Sequence, residues 1–326
     1  MRAPNPFRTG SRRSRWRLLV AILGLALLAT ACPAEDEAAA PDVPDPGAEE
    51  PADGEEPAGG EISIGWIPWE ENIAVTFMWK EILEQEGFEV DENQLDVAPV
   101  FAAVAGGDVD LMLDMWLPDT HAPYQEEFGE DIEDLGVWYD TATLELTVPA
   151  YVEEVDSLED LAENADLFGG EIIGIESGAG MMQILENEVM PTYGLDEAFT
   201  LVSSSTAAMR AELESAYEAE EPIVVTLWTP HPEYGIKDLK RLEDPQNAWG
   251  DEEQLHAISR TGFADDFPEV AEWLSTWEMS EEELSSLNAA VEEAGDQPGE
   301  ERENWQEAAA TWIEDNRDVV DGWLGN

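Results

Sequence analysis

The chain has 326 residues, seventy-six of them acidic and fourteen basic, for a formal charge of −62 at pH 7. Such a balance excludes nucleic-acid binding through a basic face and argues against adsorption to anionic lipid. A single cysteine leaves no pair for an internal disulfide.

Arg2, Arg8, Arg12, Arg13, Arg15 and Arg17 precede an apolar run from Leu18 to Leu28. The run is shorter than the ~20 residues of a membrane-spanning helix, so residues 1–32 read as an export signal. Ser11-Arg12-Arg13 leaves the twin-arginine route open beside the general one. Cys32 follows Ala29-Thr30-Ala31, an arrangement similar to a bacterial lipobox, although Ala29 takes the usual leucine position. Lipidation of Cys32, with anchoring on the extracytoplasmic face of the cell membrane, is the expectation; an ordinary cleaved signal is the alternative. Residues 33–60 are built from Pro, Ala, Gly, Asp and Glu, with Val43 the one large apolar residue. Too little apolar surface is present to offset chain entropy, so a disordered, self-repelling tether is predicted.

Six of the fourteen bases lie in the signal, so eight remain against all seventy-six acids, a side-chain charge of −68. Salt screens such self-repulsion, and a halophilic source is the reading this suggests.

From residue 61 the pattern alternates between strands and helices. Ile62, Ile64 and Trp66 fall on one face of a strand. Asn72 is placed to cap a helix that runs through Phe77 and Leu83 and stops at Gly87. Leu95 to Val100 reads as a strand, Ala102 and Val104 as helical, and Asp110 to Met115 as a buried strand. Further strands are predicted at Leu144–Val148, Ile172–Ile175, Leu201–Ser203 and Ile223–Leu227, with helices at Met181–Met190 and Ala207–Ala219. His256 falls in a stretch read as helical and exposed, and beyond Asp265 the pattern is helical to the end. The implied class is α/β with mostly parallel sheets.

Three tryptophans sit where predicted strands give way to loops: Trp69 in GWIPWEEN, Trp116 in DMWLPDTH and Trp228 in TLWTPH. Strand-end loops on an α/β scaffold are where ligands are held. Three indole faces brought together there would form an aromatic box for a quaternary ammonium group, each contact contributing about 0.5–2 kcal/mol. The competing explanation for any one of them is a large core residue. Ser177-Gly178-Ala179-Gly180-Met181 joins a predicted strand to a helix, where free amides and the helix dipole favour an anion.

The blocks ISIGWIPWEENIAVTFMWKEILEQEGF, LDVAPVFAAVAGGDVDLMLDMWLPDTH, IIGIESGAGM, LVSSSTAAMRAEL and LWTPHPEY resemble, in order, those of the glycine betaine/proline-type ABC importer substrate-binding proteins. The resemblance covers residues 61–290. It implies a two-lobed periplasmic-binding-protein type II fold with two crossover hinge strands, near Thr147-Val148-Pro149 and Thr226-Leu227-Trp228. The first lobe would comprise residues 61–148 and a largely helical second part, 228–326; the second lobe would be 149–227.

The resemblance further implies that Trp69, Trp116 and Trp228 box a trimethylammonium head. His121 and the amides of Gly180 and Met181 would hold the ligand's carboxylate. Trp66, Asp114 and His231 are placed behind the site, as loop-holding or structural groups, with Asp119 beside them. The implied partners are a small quaternary-ammonium ligand and an ABC permease subunit, with the protein a monomer on its lipid anchor. No cofactor, metal or nucleic acid is called for. Choline, carnitine or a sulfonium compound remain alternative ligands. A secreted carbohydrate-active enzyme is the weaker alternative: nothing pairs two acids with Trp in a way that needs catalysis, and seventy-six acids make some proximity inevitable.

Overall fold

The computed structural model describes residues 59–295 and 301–325. The expected signal, Cys32 and nearly all of the tether lie outside the described residues. Among the described residues no helix is long and apolar enough to cross a membrane.

Among the described residues nine strands form the scaffold: β1 (Glu61–Trp66), β2 (Glu89–Gln94), β3 (Leu111–Leu117), β4 (Ile132–Pro149), β5 (Glu171–Gly174), β6 (Thr200–Ser203), β7 (Val225–Thr229), β8 (Leu239–Arg241) and β9 (Glu253–Arg260). Their order is β2-β1-β3-β9-β4-β7-β5-β6, with β8 also on β4. The long strand β4 serves both halves. Its residues Ile132 to Ala142 pair with β9, and Thr143 to Pro149 pair with β7 and β8. The chain leaves the first half along β4 and returns to it across residues 242–252, between β8 and β9.

The sheet is mixed, not mostly parallel. Pairs β1·β2, β1·β3, β5·β6 and β5·β7 are parallel, and every pairing made by β4 or β9 is antiparallel. The predicted strand at Leu95–Val100 is also corrected. The strand there is β2, with burial pattern eBeiie, and the apolar run VAPVFAAVAG is the helix Val97–Gly106. An edge strand carrying Glu89, Asp91 and Glu92 lacks the apolar alternation that marks a half-buried strand, though its charges suit an edge. His256, read as helical and exposed, lies in β9 between β3 and β4, buried, with Nδ1 2.9 Å from Asp134 Oδ2.

The first helix runs from Glu70 to Gln85, with Trp69 at its N-cap position. Glu70 and Glu71 in its first turn suit the helix dipole. Asn72 is inside the helix and not its cap: its Oδ1 accepts from the Ile67 amide at 2.6 Å and ties the turn after β1 to the helix. Gly87, at φ +94°, takes the left-handed conformation that lets the chain turn back into β2. The C-terminal helices Glu281–Gly295 and Glu301–Asp315 pack on each other and on Glu70–Gln85.

Several tryptophans are indeed core residues. Trp138 stacks on Trp277 at 4.5 Å, and Trp277 meets Trp79 edge-on at 5.4 Å. Trp66 belongs with these: it packs on Phe77 and Trp305 and donates its Nε1 hydrogen to Glu92 at 2.8 Å.

Candidate functional site

The ends of β1, β3 and β7 converge with the turn after β5. Trp69, Trp116 and Trp228 enclose a cavity there together with Glu71, Thr120, Leu144, Ile175, Ala179 and Met181. The centre of a water-sized sphere can move within about 20 Å³ of it. Adding the sphere's own ~1.4 Å radius gives a space comparable to a ball of roughly 3 Å radius. All three indoles are 5% exposed or less. Trp69 and Trp228 are tilted against each other at 57°, with ring centroids 6.4 Å apart.

Carboxylates fix two of the three rings. Trp116 Nε1 donates to Asp114 Oδ1 at 2.9 Å, and Trp228 Nε1 donates to Glu71 Oε2 at 2.7 Å. Each bond stops rotation of the ring about χ2 and sets a carboxyl oxygen at its positive edge, leaving the face free for a cation. Trp69 is oriented differently, by stacking on His121 at 5.9 Å and 11°.

Asp114 and Glu71 are fully buried, and each keeps one oxygen, Oδ2 and Oε1, without a hydrogen-bond partner. Burial raises the Asp114 carboxyl to about 7, against the opposing bond from Trp116. Burial, with the charges of Asp114 and Glu70 added, pushes Glu71 well above the usual carboxylate range.

His121 lies behind Trp69 and outside the cavity wall. Its Nδ1 accepts from the Trp116 amide at 2.9 Å, which puts the hydrogen of a neutral ring on Nε2. Burial lowers its pKa to about 3, so the ring is neutral at ordinary pH. That Nε2 has no partner and no exposure. It is an unspent donor beside the aromatic box.

The loop between Trp116 and His121 is held from β9. Glu253 accepts from the amides of Asp119 and Thr120 at 3.3 and 3.0 Å, and from the Thr120 hydroxyl. Gly180 opens a helical stretch that continues to Tyr193 through one π turn, Leu185–Val189. The first two amides of such a stretch, those of Gly180 and Met181, have no acceptor within it. Gly180 itself lies against the Thr120 carbonyl, so closely that a Cβ at this position would overlap the oxygen. Met181 lines the cavity directly.

His231 is away from the cavity wall. It meets Trp228 edge-on at 4.5 Å, accepts from the Glu233 amide on Nδ1, and places Nε2 3.2 Å from Glu70 Oε2. The structure thus brings Trp69, Trp116, Trp228 and Met181 into one wall and sets His121, Gly180, Asp114 and His231 just behind it. Trp66 is in a separate aromatic cluster.

Sequence reasoning missed Glu71, Thr120 and Glu253, along with the apolar wall of Leu144 and Ile175. The spacing signal for Glu71 was available, two residues after Trp69 in WEEN. Seventy-six acids concealed it, because nothing in the sequence separates a buried carboxylate from a solvated one.

A family model described as the substrate-binding domain of an ABC-type glycine betaine transport system matches residues 60–315. The chain belongs to this family. Among curated relatives it is 36% identical over 168 residues to the glycine betaine/carnitine transport binding protein GbuC of Listeria monocytogenes. That match spans 52% of each protein, so the chain covers about half the length of this relative. Among solved structures it is similar to lactococcal OpuAC in its closed conformation with glycine betaine, with a TM-score of 0.74 and 29% identity over 81% of this chain and 99% of that one. It is also similar to an ABC-transporter choline-binding protein in complex with choline, with a TM-score of 0.72 and 25% identity over 81% and 91%. The fold is the type II periplasmic-binding-protein fold that the sequence blocks implied.

Proposed function

We propose that this family member captures glycine betaine, or a related quaternary-ammonium or sulfonium solute, in the box of Trp69, Trp116 and Trp228. It then presents the ligand to the permease of an ABC importer. The observation that carries this reading is one small cavity walled by three buried indoles, two of them with their N–H groups held by carboxylates.

A methylated cation has no hydrogen to donate from its head group, so ring quadrupoles and dispersion must select it. Its positive charge is further favoured by Glu71 in the wall, and a bound cation favours the ionised form of that carboxyl in return. For a zwitterion, the His121 Nε2–H and the amides of Gly180 and Met181 are the available donors for the carboxylate. The groups come from both halves of the sheet: Trp69, Trp116 and Thr120 from the first, Ile175, Ala179 and Met181 from the second. Ligand contact with both stabilises the closed arrangement over an open one. The bending points in this reading are Ala142–Thr143 within β4 and the return across residues 242–252. Lipidation at Cys32, with residues 33–60 as tether, would keep the body at the membrane beside its permease.

One observation favours a second reading, capture of choline. Glu71 Oε1 is buried, unpartnered and in the cavity wall, where a ligand hydroxyl would satisfy it.

Calorimetric titration of the full chain in high salt with glycine betaine and then choline tests both. Betaine binding that collapses in Trp116→Ala and weakens at least tenfold in His121→Ala supports the zwitterion reading. Choline binding with betaine ignored moves the assignment to the second reading. Silence toward both ligands sinks the aromatic-box proposal.

A further inference from the structure

Arg210 is one of eight basic residues beyond Arg17. It projects from the helix Thr206–Ala219, which lies between β6 and β7 in the second half of the molecule. Its guanidinium engages three carboxylates at once. Nη1 donates to Glu70 Oε1 at 2.9 Å and to Glu292 Oε2 at 3.2 Å, Nη2 donates to the other oxygen of Glu292, and Nε donates to Glu233 at 2.8 Å. Glu233 follows β7, on Arg210's own side, and has a second cation in Lys237 at 2.8 Å. Glu70 and Glu292 are across the divide, on the helices Glu70–Gln85 and Glu281–Gly295. Among the described residues Arg210 is the one Lys or Arg within ion-pair distance of either.

Two further contacts across this divide are of a different kind. Tyr124 Oη donates to the Gly178 carbonyl at 3.3 Å, and the Gly180 backbone rests on Thr120. They are neutral and easily replaced by water. The Arg210 contact is not: Glu70 is 9% exposed and adjoins Glu71 in the same buried turn. If the halves separate, Glu70 loses Arg210, and it loses His231, which also comes from the far side. A carboxylate held beside a second buried carboxyl would then need water in place of both partners. Glu70 also lies between Trp69 and Glu71 in the chain, two residues of the cavity wall.

We propose that Arg210 is a charged latch between the two halves, a positioning residue that clasps Glu70 and Glu292 in the closed state and so sets how long ligand stays bound. This rests on the capture reading above. A latch that forms only on closure acts on release and leaves encounter alone. Since Arg210 and Glu292 retain partial exposure, 22% and 27% for their side chains, the latch is also open to screening by salt.

The test is stopped-flow tryptophan fluorescence of the full chain with glycine betaine and with choline, comparing wild type with Arg210→Gln, Arg210→Lys and Glu292→Gln. Arg210→Gln should raise the dissociation rate and Kd on the order of 10- to 100-fold with the association rate within about threefold of wild type. Arg210→Lys should recover part of the loss, and Glu292→Gln should cost less when Arg210 is already replaced. Melting temperatures of the ligand-free proteins should agree, whereas a merely structural arginine would lower them. The wild-type dissociation rate should rise with NaCl, and the Arg210→Gln rate should respond less. Wild-type binding with unchanged dissociation in all three variants overturns the latch and leaves the capture reading intact. A loss confined to association, or to ligand-free stability, overturns it as well. A wild-type chain that binds neither ligand overturns both readings together.

Discussion

At the scale of single residues the site is organised by carboxylates bound to indole edges. Glu71 both fixes Trp228 and faces the cavity. Glu71→Gln keeps an amide oxygen able to accept from Trp228 Nε1 and removes the charge that a bound cation would favour on this carboxyl. Glycine betaine affinity should fall several-fold, with a larger loss for choline, whose hydroxyl would then meet a weaker acceptor. Equal affinities for wild type and variant in calorimetry would show that the charge plays no part in recognition. Asp114 acts on stability. Its folded pKa of about 7 exceeds the ordinary aspartate value, so between about pH 4 and 7 the folded state binds more protons than the unfolded one. The stabilisation from this group is therefore complete below about pH 4 and is lost as pH rises through about 7. Glu70, Glu233 and Asp134, held below their ordinary values, contribute slopes of the opposite sign. Only a comparison isolates Asp114: urea unfolding of Asp114→Asn and wild type, both ligand-free, at pH 5 and pH 8. The variant should lose less stability across that interval, by on the order of a few kcal/mol. Parallel changes in the two proteins would refute the assignment.

At the scale of elements, the loop after β3 and the helix opening at Gly180 meet in a close join between the halves. A Cβ at Gly180 would overlap the Thr120 carbonyl oxygen and come within 2.8 Å of Thr120 Cγ2. Thr120 cannot retreat freely, because Glu253 holds both its amide and its hydroxyl. Gly180→Ala should therefore obstruct closure, lowering glycine betaine affinity tenfold or more while the ligand-free melting temperature stays within a few degrees. Wild-type affinity in this variant would show that the join has slack. This element also shows what a sequence can reveal. The strand-to-helix turn at SGAG was legible because it is a local pattern with a local physical cause, whereas His121 entered only through the family resemblance. Strand β1 was legible for the same reason as the turn, from the alternation of Ile62, Ile64 and Trp66 with Ser63 and Gly65. The first part of β4 and all of β9 were not. The run IEDLGVWYDTA mixes charge with aromatics, and β9 is central because β3 and β4 flank it, a fact of topology that no local window contains. Glu253 was hidden with β9. Asn72 was legible as a polar group that ties down the start of a helix, but its bond runs back to Ile67 from inside the first turn.

At the scale of the whole molecule, charge sets two effects in opposition. Each of the eight bases beyond Arg17 lies in an ion pair with at least one carboxylate. No spare cation among the described residues is left to offset the remaining acids, so self-repulsion must be met by the solvent. The Debye length shrinks from about 10 Å at 0.1 M salt to about 3 Å at 1 M, and the repulsion weakens with it. The melting temperature of the ligand-free chain should therefore rise as NaCl is raised across that range, and far-ultraviolet circular dichroism should report loss of structure on dialysis to low salt. Sucrose at matched osmolality is the control, since it favours compact states by exclusion and screens nothing. If sucrose reproduces the effect, or if salt leaves the melting temperature unmoved, acidity is not what couples this fold to ionic strength. The same screening acts against the bridge from Arg210 to Glu292. The extra stability conferred by saturating ligand should thus shrink over the salt range in which the empty protein gains, and the Arg210→Gln variant should show the gain with little of the shrinkage. Two opposite salt responses in one molecule, separated by one substitution, would place self-repulsion in the acidic surface and ligand retention in the latch.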